Sequence, residues 1–201
     1  MARYTGPKNK RARAIGEDLG LKSNPLKVSR RLAIRPGMHG AKRRRKLSDY
    51  GKQLKEKQKA KYMYGVLEKA LRSLYEEASK DPTATGETLL RLLELRLDNV
   101  IYRAGLAPTR ASARQIVAHG HVVVNDGKMN IPSYRVELGD VVTLKRSAAT
   151  IPAVAGLLEA EPDVPAWMKK KATVVTVSAL PTRTDIAEAI DEQLIVEYYS
   201  R

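Results

Sequence analysis

Along the middle of the chain, apolar residues return at intervals of three and four, a spacing that predicts helices. Between 48 and 80, Leu54, Met63, Val66, Leu67, Ala70, Leu71 and Leu74 form one apolar stripe. Ser48 suits an N-cap, with Asp49 beside it in the first turn. Gly65 weakens the middle, so two helices meeting near Tyr64 and Gly65 fit as well as one. Asp81-Pro82-Thr83 closes the segment. From 86 to 105, Leu89, Leu93, Leu97, Val100, Ile101 and Ala104 make a second stripe ending at Gly105. Pro108-Thr109 opens a shorter helix to about His119, with Thr109 as cap and Gly120 as stop.

After Gly120 the pattern turns extended. Val122-Val123-Val124 reads as a strand, Asn125-Asp126-Gly127 as a tight hairpin turn and 128–131 as the returning strand. Segments 134–136 and 141–144 are expected as further strands, separated by Gly139-Asp140. Beyond 147 the pattern is weaker. It suggests a helix over 153–160, a strand over 173–177 and a terminal strand over 194–199, with Trp167 ahead of the run Lys169-Lys170-Lys171. Before 47 periodicity is nearly absent, and only 15–19 has the makings of a helical turn. The expected fold class is α+β. A basic irregular arm (1–46) leads into a mostly helical domain (47–95), which 147–201 complete. A small helix–helix–β-hairpin domain (96–146) is inserted between them.

Charge sharpens this picture. Residues 1–60 hold 19 basic and 4 acidic side chains, and that excess equals the net +15 of the whole 201-residue chain. Such asymmetry points to a polyanionic partner, and one end of the chain is set against a phosphate backbone. The candidate RNA-binding residues of the arm are Lys8, Lys10, Arg11, Arg13, Arg30, Arg31, Arg35, His39 and the run Lys42, Arg43, Arg44, Arg45 and Lys46. Five adjacent cations cannot neutralise one another, so a salt-sensitive contact is expected there. The turn Arg35-Pro36-Gly37-Met38-His39-Gly40 argues that the arm is shaped, not a featureless tail. Lys52, Lys55 and Lys59 point off the first apolar stripe and join the set with Tyr50.

In the small domain, Arg110 and Arg114 stand four apart on one helix face, away from Ala113 and Val117. A phosphate between two such forks would turn their repulsion into attraction. Gln115, His119, His121, Asn125 and Lys128 complete that side. With 9 Tyr, 1 Trp and no Phe, base stacking is not the expected mode; phosphate and shape recognition of folded RNA is. Segment 147–201, with 5 basic and 8 acidic residues, is expected to pack and not to touch RNA.

Catalytic chemistry finds little support. There is no Cys, hence no disulfide and no thiolate metal site. No metal or other cofactor is expected. His119 and His121 flank Gly120 without a carboxylate cluster, and no phosphate-cradling or nucleophile-elbow motif is present. Arg96-Leu97-Asp98 is similar to the start of the catalytic motif of a pseudouridine synthase family, but the Thr and Gly that follow there are replaced by Asn99-Val100-Ile101 within an apolar stripe. Asp98 is expected instead to hold an arginine such as Arg103 or Arg110. No stretch approaches a bilayer span and residues 1–10 lack an apolar core, so the expectation is a cytoplasmic protein with no membrane partner.

Several motifs, taken in order, resemble one family over nearly the whole chain. They are Met1-Ala2-Arg3-Tyr4-Thr5-Gly6-Pro7-Lys8, Pro36-Gly37-Met38-His39-Gly40 and Leu47-Ser48-Asp49-Tyr50-Gly51-Lys52-Gln53-Leu54. Further along come Arg96-Leu97-Asp98-Asn99-Val100, Ala113-Arg114-Gln115, His119-Gly120-His121, Val124-Asn125 and Leu194-Ile195-Val196-Glu197-Tyr198-Tyr199-Ser200. Together they are similar to small-subunit ribosomal protein number four in its bacterial form. The resemblance implies a non-enzymatic ribosomal component that binds the 5′ domain of 16S rRNA at a helix junction early in assembly. It also implies contact with small-subunit protein number five and with incoming messenger RNA, faced by 42–46. Many members hold four Cys in the arm as a zinc site; this chain has none, so RNA and packing must hold its arm, with weaker order expected when it is free.

Overall fold

The computed structural model describes residues 4–41, 46–81, 84–160 and 162–201. In chain order its elements are α1 (Lys8–Ile15), α2 (Pro25–Leu32), α3 (Asp49–Met63), α4 (Glu68–Ala78), α5 (Thr85–Glu94), α6 (Leu97–Arg103), α7 (Arg110–Ala118), β1 (Val122–Val124), β2 (Gly127–Met129), β3 (Val141–Leu144), α8 (Arg146–Ala149), α9 (Pro152–Ala160), β4 (Met168–Lys171), β5 (Val174–Val177) and α10 (Glu192–Tyr199). The fold is α+β. It divides into two units, one of residues 1–89 with 188–201, the other of residues 90–187.

The first unit is helical. Ser48 caps α3 by accepting from the Gly51 amide at 3.2 Å, and the chain breaks after Tyr64 at Gly65, whose φ of 65° suits glycine. The arm is more regular than its sequence suggests. Asn24 caps α2 by accepting from the Lys27 amide at 3.0 Å, with Pro25 at the first helical position. Helix α1 stops at Gly16, so of 15–19 only Ile15 is helical and the rest follows the helix as a loop. Ala12, Ile15, Leu19 and Val28 are buried, a small apolar core that widely spaced residues concealed. Segment 194–199 is helical, not a strand. Its Ile, Val and Tyr favour strands, but Asp191 accepts from the Gln193 and Leu194 amides at 3.1 and 3.3 Å. Ile195 is then fully buried, and Tyr199 stacks on Tyr75 with ring centroids 4.8 Å apart.

The second unit layers helices on an antiparallel sheet of order β2-β1-β3-β5-β4. Asn125 and Asp126 take φ of 46° and 66°, the left-handed pair that a two-residue hairpin turn demands. Leu97, Val100, Ile101, Leu106, Val117, Val122, Val142, Val175 and Trp167 are among the residues of one apolar core. The 86–105 stripe is two helices, not one. Arg96 is extended, which lets the Val136 amide donate to the Leu95 carbonyl and the Leu97 amide to the Tyr134 carbonyl, each at 2.9 Å. Segment 134–136 is therefore a single bridge from Arg135 to Arg96 and not a ladder strand. The division also differs from the sequence reading. β4 and β5 extend the sheet, so 147–187 fold with the small domain, and only 188–201 return to the helical one.

Candidate nucleic-acid interface

Within the first unit, the fold sorts the basic residues into two groups. On α3, lysines are taken up internally. Lys59 is buried, pairs with Glu17 at 2.7 Å and Glu56 at 3.8 Å, and donates to the Ala189 carbonyl. Lys55 reaches Glu17 at 3.4 Å, and Lys52 pairs with Asp49 at 2.8 Å. Lys59 is thus withdrawn from the candidate RNA-binding set: a buried ammonium needs these partners to offset lost hydration. Lys57 lies over the Tyr198 ring at 4.3 Å and pairs with Glu68 at 2.6 Å. Burial opposes ionisation of Glu68, but hydrogen bonds from Lys57, Lys61 and the Tyr199 hydroxyl outweigh it and bring the carboxyl down to about 2. Tyr50 leans on Tyr198 with centroids 5.8 Å apart and stays half exposed.

On the arm the cations divide again. Arg11 lies between the rings of Tyr4 (3.4 Å) and Tyr62 (4.4 Å). Arg13 donates to the carbonyls of Ile34 and Arg35 at 2.6 and 2.9 Å, tying the 35–40 turn to α1. A side chain at Gly40 would collide with the Arg35 carbonyl, which is why that turn needs glycine there. Lys8 is half-buried, whereas Lys10, Arg30, Arg31, Arg35, His39 and Lys46 are exposed. Arg35 and Lys55 line one cleft of about 300 Å³ with Ile15, Leu54 and Tyr62. Lys42, Arg43, Arg44 and Arg45 lie outside the described residues. Lys27, exposed on the same helix as Arg30 and Arg31, was passed over in the sequence, where it stands alone between apolar residues.

In the second unit, Arg110 and Arg114 are not a solvated pair. Arg110 is buried, donates to Asn99 Oδ1 at 2.7 Å and lies over the Tyr102 ring at 4.5 Å. Arg114 donates to Asp98 Oδ2 at 3.2 Å, and Arg96 donates to the same oxygen at 3.2 Å. Asp98 does hold arginines, but these two and not Arg103, which grips buried Glu94 through two bonds of 2.9 and 2.7 Å. Burial pushes the Asp98 carboxyl up while Arg96 and Arg114 oppose that shift. Such a carboxylate is locked in the base of the module. Asn125 is likewise structural: it donates to Asp140 at 2.6 Å and accepts from the Val141 amide at 3.0 Å.

The remaining candidates of the module do converge. The rings of His119 and His121 lie 6.2 Å apart, Gln115 is exposed one turn earlier, and the Lys128 side chain lies across Gly120. β3 pairs with β1 so that Leu144 meets Val122, which brings Lys145, Arg146 and Ser147 beside His121; Ser147 Oγ is 3.4 Å from His121 Nδ1. Those three residues are remote in sequence from the histidines, and only the register reveals them. Among the described residues no group of three or more His, Asp or Glu is placed to hold a metal ion. Nor, among them, is any helix long and apolar enough to cross a membrane.

Two family models match the chain: the ribosomal protein S4/S9 N-terminal domain over residues 3–94 and the S4 domain over 95–142. Among curated proteins, small ribosomal subunit protein uS4 of Chloroflexus aurantiacus is 49% identical, with both chains covered in full. The proteins of that name from Cutibacterium acnes and Marinobacter nauticus are 48% and 49% identical, again over 100% of each chain. The chain belongs to the uS4 family. It is a small-subunit ribosomal protein with an RNA-binding S4 domain, structural and not an enzyme. Ribosomal RNA of the small subunit is the partner that uS4 membership implies. As a uS4 protein without cysteine, it holds its arm by the Ala12, Ile15, Leu19 and Val28 core, the Arg11 sandwich and the Glu17–Lys59 pair. The pseudouridine synthase reading of Arg96-Leu97-Asp98 is set aside: Asp98 is buried and paired to two arginines.

Proposed function

We propose that this chain is a primary binder of the 5′ domain of 16S rRNA, gripping a junction of helices and nucleating small-subunit assembly. The observation that carries this reading is the exposed basic surface of the arm. Lys10, Arg30 and Arg31 have no ion pair among the described residues, although the same unit buries and pairs Lys57 and Lys59. Arginines left unpaired beside a paired set are suited to phosphates, because guanidinium forks match phosphate oxygens and release condensed counterions. In the S4 domain, Gln115, His119, His121 and Lys128 supply a second contact. The family resemblance supports a role for the basic run 42–46 in contacting incoming messenger RNA and in translational accuracy, and a contact with small-subunit protein number five.

The test is a footprint of the purified chain on naked small-subunit rRNA, before any other protein is added. Protection confined to a helix junction of the 5′ domain, weakening steeply as salt rises, is the expected result. Protection that arises only after other ribosomal proteins have bound would reject the primary role.

A further inference from the structure

We propose that the outer face of the five-stranded sheet is a second RNA-docking surface, shaped for the shallow minor groove of a duplex. It rests on the family's RNA-binding role and shares Lys128 with the S4-domain contact above, but uses none of the arm residues or α7 residues. The strand registers define the surface. Lys128, Val123, Thr143, Val174 and Lys171 lie in one row across β2, β1, β3, β5 and β4. Val141, Thr176 and Lys169 lie in the next. Residues of opposite parity, Val122, Val124, Val142, Leu144, Val175 and Val177, are buried in the core, so both rows point outward. Lys128, Val141, Lys169 and Lys171 are exposed, and the others are half-buried.

The chemistry of this face selects its occupant. Every charged position on it is a lysine and no acidic residue stands among them, so the partner is anionic. None of the three lysines has an ion pair among the described residues. A protein partner would call for Trp, Tyr or Arg anchors at the centre, and there the face offers only Val and Thr. The lack of aromatics also rules out stacking of splayed bases. Lys128 and Lys171 sit on opposite edges, four inter-strand steps or about 19 Å apart, the scale of a duplex and not of one strand. A wide, shallow minor groove displays 2′-hydroxyls, which the Thr143 and Thr176 hydroxyls can both donate to and accept from. The sequence reading gave segment 147–201 no RNA contact, because its net charge is negative; the strand alternation turns Lys169 and Lys171 to the outer face and Lys170 to the other.

Lysines on an edge strand can also serve to block pairing with another chain, and the experiment separates the two roles. In the full-length chain, Lys169→Gln with Lys171→Gln is expected to lower affinity for small-subunit rRNA about tenfold at physiological salt and to make the salt dependence shallower. Lys169→Arg with Lys171→Arg is expected to restore both, with unchanged thermal melting in each variant. Since the chain has no cysteine, Thr176→Cys carries a unique photoreactive label into reconstituted small subunits, where an adduct to a base-paired rRNA segment is expected. Unaltered affinity and salt slope, or an adduct formed only with protein or not at all, overturns the surface while leaving the proposed function intact. Failure of the unmodified chain to bind the RNA overturns both.

Discussion

The lysines of α3 and the arginines of α2 belong to the same basic third of the chain, and the fold treats them oppositely. Lys57 and Lys59 are buried against Glu68, Glu17 and the Tyr198 ring. Arg30 and Arg31 stand in solvent on a helix that buries little besides Val28. The difference is one of neighbours: Glu17, just past the end of α1, and Glu68 of α4 reach the lysines of α3, whereas among the described residues Arg30 and Arg31 of α2 have no ion pair. Charge counted along a sequence therefore overstates the charge available to RNA. The S4 domain repeats the lesson, since its two most RNA-like arginines are held by Asn99 and Asp98.

The strongest way to test this contrast is to break the structural cations and carboxylates first. Asp98→Ala removes the acceptor shared by Arg96 and Arg114 and should cost about 3–5 kcal/mol, as loss of one buried partner does; urea unfolding of the full chain measures it. A cost under 1 kcal/mol would show that the network is dispensable. Arg110→Ala with Arg114→Ala, which the sequence alone would assign to RNA contact, should likewise lower thermal stability before it lowers affinity in the folded protein. Lys59→Ala should destabilise by about 2 kcal/mol, because Glu17 and the Ala189 carbonyl lose a buried donor. The salt slope of RNA binding should stay unchanged, and a slope that falls would return Lys59 to the interface.

Arg30→Gln with Arg31→Gln should do the reverse. Stability should move by less than about 0.5 kcal/mol, while the salt slope of RNA binding falls by roughly 1–2. The smallest expected effect comes from acid. Glu68 has a folded-state pKa of about 2 against an ordinary 4.5, so its contribution is full above 4.5 and is lost as pH falls toward 2. Solvent screens this half-exposed group, so Glu68→Gln should flatten the acid limb of the stability curve only slightly in that window. No change in the limb would remove Glu68 from the account of acid unfolding.

Much of the architecture was readable from spacing. The 48–63 helix with its Ser48 cap, the break at Gly65, the Thr109 cap and the Asn125-Asp126-Gly127 hairpin all rest on interactions within a few residues, which a linear sequence displays. The errors share the opposite cause. Segment 194–199 has strand-forming residues, yet a cap at Asp191 and burial of Ile195 make it a helix. Arg96 breaks a continuous stripe because residues 134–136 pair with its neighbours. The candidate site divides the same way. The basic arm was plain in the charge distribution, whereas the cluster of Lys145, Arg146 and Ser147 around His121 depends on how β1 meets β3.

By itself, then, the amino-acid sequence determined the helical and hairpin segments, the basic front end, the lack of thiol chemistry and the family motifs, since each is local or cumulative along the chain. Only the tertiary structure decided which cations remain available. Pairing Lys59 with Glu17, Arg114 with Asp98, or Lys171 into a row with Lys128 joins residues distant in sequence. The physical reason is that hydration lost on burial is repaid only by partners that folding brings near, and no periodicity records those partners.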